Sequence, residues 1–299
     1  MDLNHPFFSI IIPTYERPRQ LSACLEALAR LVYPPHRFEA IVVDDGSEKP
    51  LNGVVDSFRH QLNVILISQA NAGPATARNT GAVQAKGRFL VFTDDDCTPA
   101  SDWLKTLAKR FAATPDCAIG GRTLNRLPDN PFSTASQILI DYLYNYYNSD
   151  HNQAHFFTSN NLALPKERFH QIGGFDTTFP CAAGEDRELC DRWLNNGCRM
   201  IYAPEVLVWH SHSLTCRNFW KQHFSYGRGA YIFQQARVRS GYQRIRLEPL
   251  SFYLNLMRAP FGQTKSPRAL LLASLLVLSQ VANAAGYFAE NGDILGPTP

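Results

Sequence analysis

Apolar runs that stop abruptly at acidic clusters constrain this chain more than any other feature. Phe7-Phe8-Ser9-Ile10-Ile11-Ile12 halts at Pro13, and Ala40-Ile41-Val42-Val43 runs into Asp44-Asp45-Gly46-Ser47. Arg88-Phe89-Leu90-Val91-Phe92-Thr93 runs into Asp94-Asp95-Asp96, and Val64-Ile65-Leu66-Ile67 is a fourth run of the same kind. Short, β-branched or aromatic and nearly continuous, these runs have the pattern of strands covered on both faces. After the first run, Leu21, Cys24, Leu25, Leu28 and Val32 recur at three- and four-residue steps, an amphipathic helix. The Ala-rich segment 74–86 opens on a proline, where a first helical turn tolerates one. Strands alternating with helices predict an α/β fold, a Rossmann-like, mostly parallel sheet flanked by helices.

Beyond Gly120 the pattern is less regular. Segment 133–147 reads as a Tyr-rich helix, 161–164 as a short strand, and 166–172 as a helical turn stopped by Gly173-Gly174. Segment 186–195 has Leu189, Cys190, Trp193 and Leu194 on one helical face. Segments 199–203 and 206–209 read as two strands, the second ending in His210-Ser211-His212. The chain then turns basic: Arg228, Arg237, Arg239, Arg244, Arg246, Arg258, Lys265 and Arg268 are opposed by Glu248 alone before Glu290, and 269–289 carries no charge. That uncharged length is about what crosses a bilayer core, although Ser274, Ser279, Gln280 and Asn283 weaken it. Spanning a membrane, lying on it as an amphipathic helix, and packing on the rest of the protein all stay open. The expected division is a domain over 1–229 and a basic, then apolar, helical C-terminal extension over 230–299.

With 299 residues, 45% of them apolar, the chain can build a large core, and a net charge of +3 gives no reason to expect nucleic acid as a partner. Seven scattered cysteines without a C-x-x-C pair argue for reduced thiols rather than a disulfide scaffold. Asp2 precedes any apolar run, and the first run is too short for a signal-peptide core. The expected location is cytoplasmic, with peripheral or anchored contact to the cytoplasmic face of a membrane through the C-terminal segment.

Ligands of open parallel sheets sit outside the carboxyl ends of the strands, and both acidic clusters fall there. Crowded carboxylates repel one another unless a cation lies between them. A divalent cation carrying a phosphate would serve, although residues 44–47 would also make an ordinary turn. His210 and His212, two apart on an extended segment, point to one face, and one of them could complete a site with Asp96. Hard oxygens and an imidazole suit Mn²⁺ or Mg²⁺. Either histidine is as readily a packed or surface residue. Asp186, after Gly184-Glu185, either caps the helix that follows or removes a proton from an acceptor hydroxyl.

No G-x-G-x-x-G follows the first strand, and neither a P-loop nor a G-x-S-x-G elbow is present. Taken in order, the segments from Phe7 to Gly229 resemble the family 2 glycosyltransferases of GT-A fold. The resemblance rests on Ser9-Ile10-Ile11-Ile12-Pro13-Thr14-Tyr15, Val42-Val43-Asp44-Asp45-Gly46-Ser47, Ala77-Arg78-Asn79 and Phe92-Thr93-Asp94-Asp95-Asp96. It continues through Ser159-Asn160-Asn161, Gly173-Gly174-Phe175-Asp176, Gly184-Glu185-Asp186 and Trp209-His210. It implies a metal-dependent, inverting enzyme that moves a sugar from a nucleotide-diphosphate donor, a UDP-sugar, to a hydroxyl of a glycan or lipid-linked acceptor. Pro13, Thr14 and Glu16 would line the nucleotide pocket, Asp45 would read the base, and Arg78 would contact ribose or phosphates. Asp94 and Asp95 would belong to the donor site, while Asp96, Asp94 and His210, with His212 in reserve, would hold Mn²⁺ or Mg²⁺. Asn161, Gly174, Phe175, Asp176 and Glu185 would shape the cleft for donor sugar and acceptor, and Asp186 would be the catalytic base.

Two rivals remain at this level. Asp94-Asp95-Asp96-Cys97-Thr98 also fits the D-x-D-x-T pattern of haloacid-dehalogenase-like phosphatases, in which the first Asp attacks phosphorus. That pattern usually follows a first strand, and here it follows the fourth. The other rival is a catalytically inactive domain that binds a nucleotide-sugar or scaffolds an assembly.

Overall fold

The computed structural model describes residues 5–179, 183–239, 241, 248–263 and 267–294. The first half contains β1 (Phe8–Thr14), α1 (Pro18–Ala29), β2 (Phe38–Asp44), α2 (Asn52–Asp56), β3 (Val64–Ser68), α3 (Pro74–Gln84), β4 (Phe89–Phe92), β5 (Cys97–Pro99) and α4 (Trp103–Ala113). The second contains β6 (Ala118–Asn125), α5 (Pro131–Tyr147), β7 (Leu162–Pro165), α6 (Lys166–Gln171), α7 (Glu185–Asn195), β8 (Met200–His210), α8 (Cys216–Arg239), α9 (Leu250–Gln263) and α10 (Pro267–Ile294).

All eight strands form one sheet in the order β3-β2-β1-β4-β7-β6-β8-β5. The first four strands are mutually parallel, β7 is antiparallel to both β4 and β6, β6 is parallel to β8, and β5 closes the edge antiparallel to β8. The sheet is mixed and mostly parallel, as the sequence implies. Alternation along β1 divides its side chains between two layers. Phe8, Ile10 and Ile12 pack with Leu21, Leu25 and Leu28 of α1 and Trp103 of α4, while Ile11 joins Ile41, Val43, Ala77, Phe169 and Trp193. A third core joins α5, α8, α9 and α10 through Ile138, Phe219, Leu256, Leu272 and Leu276.

The structure corrects the reading of several segments. Segments 199–203 and 206–209 are one strand, β8, whose pairing with β6 jumps from Gly121↔Ala203 to Arg122↔Leu207. The carbonyls exposed by that jump, Arg122 O and Val206 O, accept hydrogen bonds from Asn161 Nδ2 at 3.1 and 2.9 Å. Val32 lies beyond the end of α1 and is exposed. Helix α4 and strand β6 went unread, and α8 runs unbroken through residues 229 and 230, so the expected boundary falls inside a helix.

Candidate active site

Because β1, β2 and β4 are parallel, Thr14, Asp44 and Phe92 end on one edge of the sheet, and antiparallel β7 begins there, with Leu162 opposite Phe92. The last link is β5, which pairs Cys97 with His210. Ser211 N–H then donates to Asp96 O at 2.8 Å, so one short strand pairing carries both histidines onto the acidic cluster.

The three adjacent acids point to three different partners. Asp96 Oδ1 lies 3.1 Å from His210 Nε2 and its Oδ2 3.2 Å from Arg17 Nη1. Burial alone would raise the Asp96 carboxyl, but the hydrogen bond and charge of His210, then Arg17, outweigh it and hold the acid well below its ordinary range. Donor atoms of Asp96, His210 and His212 lie within 4.8 Å of one another. His212 is held neutral, its pKa lowered to about 4 by burial and then by His210. Asp95 accepts from Thr14 Oγ1 at 2.7 Å and from Arg17 Nη1 at 3.2 Å. Burial pushes it up to about 6 against the pull of Arg17. Asp94 turns away from the histidines to Arg78, 3.0 Å from Nη2. Of the residues expected to hold a metal, Asp96 and His210 are thus brought together and His212 joins them, while Asp94 is drawn to Arg78 instead.

Arg78 joins the two halves of the site. It is buried, its Nη1 reaches Glu185 Oε1 at 3.2 Å, and its guanidinium lies over the Phe175 ring at 5.4 Å. Its Nε is buried without a partner. Helix α7 starts at Glu185 behind Gly184, whose φ of 94° lies in the left-handed region glycine favours. No side chain caps this helix, so Asp186 is not a cap. Instead, Asp186 Oδ2 accepts from Ser159 N–H at 3.1 Å, and its Oδ1 is buried with no partner. Burial raises the acid, while Arg78 and Ser159 oppose the shift. Glu185 is raised as well, by burial and then by Asp186.

The remaining expected residues divide. Asp45 accepts from Gln69 Nε2 at 2.7 Å, Ala72 N–H at 3.0 Å and Gly73 N–H at 2.8 Å, so it orders the loop leading into α3. Its own N–H donates to Thr14 O at 2.9 Å, linking it to the Thr14–Asp95 pair. Glu16, with φ of 56°, braces two loops by accepting from Glu48 N–H at 2.5 Å while its N–H donates to Ser47 Oγ at 2.9 Å. Asn161 is not in the cleft: it is buried, its Oδ1 accepts from Trp103 Nε1 at 3.0 Å, and its amide nitrogen spans the β6–β8 register jump. Gly174 has φ of 72° and Phe175 is buried against Phe92 and Phe169, fixed by Asn79. Asp176 accepts from Thr178 N–H at 2.9 Å as a turn acid. Phe175 and Asp176 also line a surface cavity of about 550 Å³ with Tyr231 and Gln235 of α8. Sequence reasoning missed Arg17 and Ser159 as members of the network. Arg17 stands just before the proline that opens α1, and Ser159 belongs to the Ser-Asn-Asn triplet in which the sequence reading gave a role to Asn161 alone.

Residues 9–175 match the family model for glycosyl transferase family 2. The chain belongs to that family. Residues 143–211 also match the model described as the N-terminal domain of galactosyltransferase. Among curated relatives, the glycosyltransferase AglE of Haloferax volcanii is 27% identical over 207 residues, 69% of this chain and 67% of that protein. The pre-mycofactocin glycosyltransferase of Mycobacterium tuberculosis is 30% identical over 209 residues, covering 68% of this chain but 44% of the relative, so the chain spans under half of its length. The mannosyltransferase PcManGT of Pyrobaculum calidifontis, solved with GDP-Man and Mn²⁺, superposes with a TM-score of 0.68 at 20% identity, over 97% of this chain and 88% of that one. At this identity the likeness speaks to the fold, which is GT-A. The family 2 glycosyltransferase is therefore a transferase, and neither the phosphatase reading nor the inactive scaffold finds support.

Proposed function

We propose that this family 2 glycosyltransferase transfers a sugar, with inversion, from a nucleotide-diphosphate donor to a hydroxyl of a glycan or lipid-linked acceptor. The observation that carries the reading is the continuous network Thr14–Asp95–Arg17–Asp96–His210, with Asp94–Arg78–Glu185 beside Asp186, along one sheet edge. In this scheme Asp186 takes the acceptor proton as the hydroxyl attacks the anomeric carbon. Support for that role comes from its buried Oδ1, which has no other partner, and from burial, which shifts its pKa upward. Arg78, with a free Nε–H and a fixed guanidinium plane, binds the donor's phosphates or ribose. Asp94 holds Arg78 in that orientation, and Phe175 supports it from below. The cavity beside Asp176 and Tyr231 is the acceptor's approach.

The donor set of Asp96, His210 and His212, one carboxylate and two imidazoles, fits a divalent cation, and two nitrogens favour Mn²⁺ over Mg²⁺. When bound there, such an ion would act as a Lewis acid on the leaving diphosphate. A uridine nucleotide is the proposed base, in line with TarS of S. aureus, solved with UDP-GlcNAc and similar to this chain at a TM-score of 0.55 and 18% identity. The protein's proposed place is the cytoplasmic side of a membrane, which its C-terminal helices contact. A panel of nucleotide-sugars screened by thermal shift with and without Mn²⁺ tests the reading, because a bound donor raises stability by mass action. The expected result is a Mn²⁺-dependent shift with a UDP-sugar, retained in Asp186→Asn while nucleotide release falls by about 10²–10⁴. Loss of donor binding in Asp186→Asn, or no shift with any donor, would refute it.

A further inference from the structure

Helices α9 and α10 leave an apolar surface uncovered that is out of proportion to their length. Among the described residues, fifteen large hydrophobic side chains are exposed, and nine of them lie in these two helices. They fall into stripes. On α10, Leu270, Ser274, Val277, Val281, Ala284 and Phe288 follow one another at three- and four-residue steps and are all exposed. They share one helical face about 27 Å long. On α9, Leu250, Leu254, Arg258 and Phe261 do the same. Leu250 is 73% exposed, Leu270 62% and Phe288 68%, values at which single scattered residues would be unremarkable but a continuous stripe marks a contact surface.

Charge indicates what covers it. Residues 212–294 contain ten Lys and Arg and three acids, in a chain whose total is 29 against 26. The remainder of the protein is therefore net acidic, and the basic surplus lies in the segment that leads into the striped helices and at their start. Arg258 is exposed within the α9 stripe, and exposed Arg268 sits one turn before Leu271 on α10. Of the acids in this segment, Glu248 is tied up by the hydroxyls of Tyr146 and Tyr147 at 2.9 and 2.6 Å, and Glu290 near the end of α10 is paired with Arg228. Apolar side chains bordered by exposed Arg258 and by exposed Arg268, which donates to Pro128 O at the protein surface, match an anionic lipid leaflet.

The other side of α10 determines how it meets that leaflet. Ala269, Leu272, Leu276 and Ala282 are buried in the protein. A Cβ on Gly227 of α8 would stand 1.8 Å from Asn283 O, and one on Gly286 would stand 1.9 Å from Phe224 O, so the backbones of α8 and α10 touch. Helix α8 is in turn held to the catalytic domain, since a Cβ on Gly229 would lie 2.0 Å from Ala183 O. A helix anchored along one side in this way has only its other side for lipid. We infer that the exposed stripes of α9 and α10 lie flat in the headgroup region of an anionic membrane, and that α10, although long and apolar enough to span, does not cross it.

This deepens the membrane placement proposed above and does not depend on donor or acceptor identity. The full chain is floated with vesicles of phosphatidylcholine alone or containing 30% phosphatidylglycerol. The expected result is at least about tenfold higher recovery on anionic vesicles, reduced by 0.5 M salt. Val277→Asp with Val281→Asp lowers recovery at least about tenfold, and Arg258→Glu with Arg268→Glu abolishes the preference for anionic lipid. Unchanged thermal unfolding and nucleotide release in solution show that these variants still fold. Equal recovery of wild type and variants overturns the inference, as does resistance of the bound protein to alkaline carbonate, which marks a spanning helix. A wild-type dimer that the aspartate pair converts to monomer, without vesicle binding, overturns it in favour of a second copy. Loss of donor turnover with vesicle binding intact would count against the proposed chemistry alone.

Discussion

Replacing Arg78 by Met removes the cation that serves Asp94 and Glu185 directly and faces Asp186, while keeping most of the apolar stem over Phe175. Arg78 and Glu185 are both buried, so breaking their pair leaves an uncompensated charge, at a cost of about 3–5 kcal/mol. The carboxylates have an escape, which is to bind protons, and this makes the cost depend on pH. Glu185 already has a raised folded pKa, and without Arg78 it and its neighbours rise further. The folded state then holds more protons than the unfolded one above the ordinary carboxylate range, so stability falls as pH rises. The slope approaches about 1.4 kcal/mol per pH unit for each carboxylate held protonated. Urea unfolding of Arg78→Met and wild type at pH 5 and pH 8 reads this directly. The expected loss is about 3–5 kcal/mol at pH 8 and smaller at pH 5 by at least about 1.4 kcal/mol. An equal loss at both pH values, or one below about 1 kcal/mol at pH 8, would mean that Arg78 is not the counter-charge of this network.

Gly227→Ala inserts a Cβ 1.8 Å from a backbone oxygen that cannot swing aside, so α8 and α10 must separate. Calorimetry should register a loss of about 1–3 kcal/mol, and adding Gly286→Ala should cost less than the sum of the two single changes, since both relieve the same contact. His223, buried against Phe219, Tyr226 and Ser136, has its pKa lowered to about 4 by burial and then by His212. The unfolded chain therefore binds a proton that the folded one refuses, and stability drops as pH falls from about 6.5 to 4. His223→Leu should flatten this part of the stability–pH curve relative to wild type, by up to about 3 kcal/mol at its acid end. Because His212 belongs to the Asp96 cluster and Asp94 does not, His212→Ala should weaken Mn²⁺ binding, followed by electron paramagnetic resonance, at least about tenfold. Asp94→Asn should weaken it less, and the reverse order would return Asp94 to the ligand set.

The strands that end in acids were legible because burial on both faces leaves continuous apolar runs, and a polar cluster after such a run has only one edge of the sheet to occupy. Asp96 and His210 could be paired in advance on chemistry. Their meeting depends on β5, a three-residue strand whose only sequence trace is Cys97-Thr98-Pro99. Helix α4 was readable in principle, since Trp103, Leu104, Leu107 and Phe111 keep a helical period and are all buried. The division of labour among Asp94, Asp95 and Asp96 was not readable. Adjacent side chains at a strand end fan out, and which one meets Arg78, Arg17 or His210 is decided by α3, α1 and β8. Asn161 misled for a related reason. An asparagine beside a cleft and one closing a register jump look alike until the jump between Gly121 and Arg122 is known.

That division of labour also explains why three acids stand in a row. Asp94, Asp95, Asp96, Glu185 and Asp186 place five carboxylates along one edge, and among the described residues the guanidiniums of Arg17 and Arg78 are directly paired with them, as is His210. Three of the five, Asp95, Glu185 and Asp186, are pushed toward the protonated form by burial, whereas Asp96 is held firmly ionised. The network thus sorts its acids into one dependable anion beside two imidazoles and one reluctant anion with an unpartnered oxygen. A metal ligand must be ionised, and a general base works best with a pKa raised toward the working pH. The same crowding therefore suits both of the proposed roles, with Arg17 offsetting Asp95 and Asp96 and Arg78 offsetting Asp94 and Glu185.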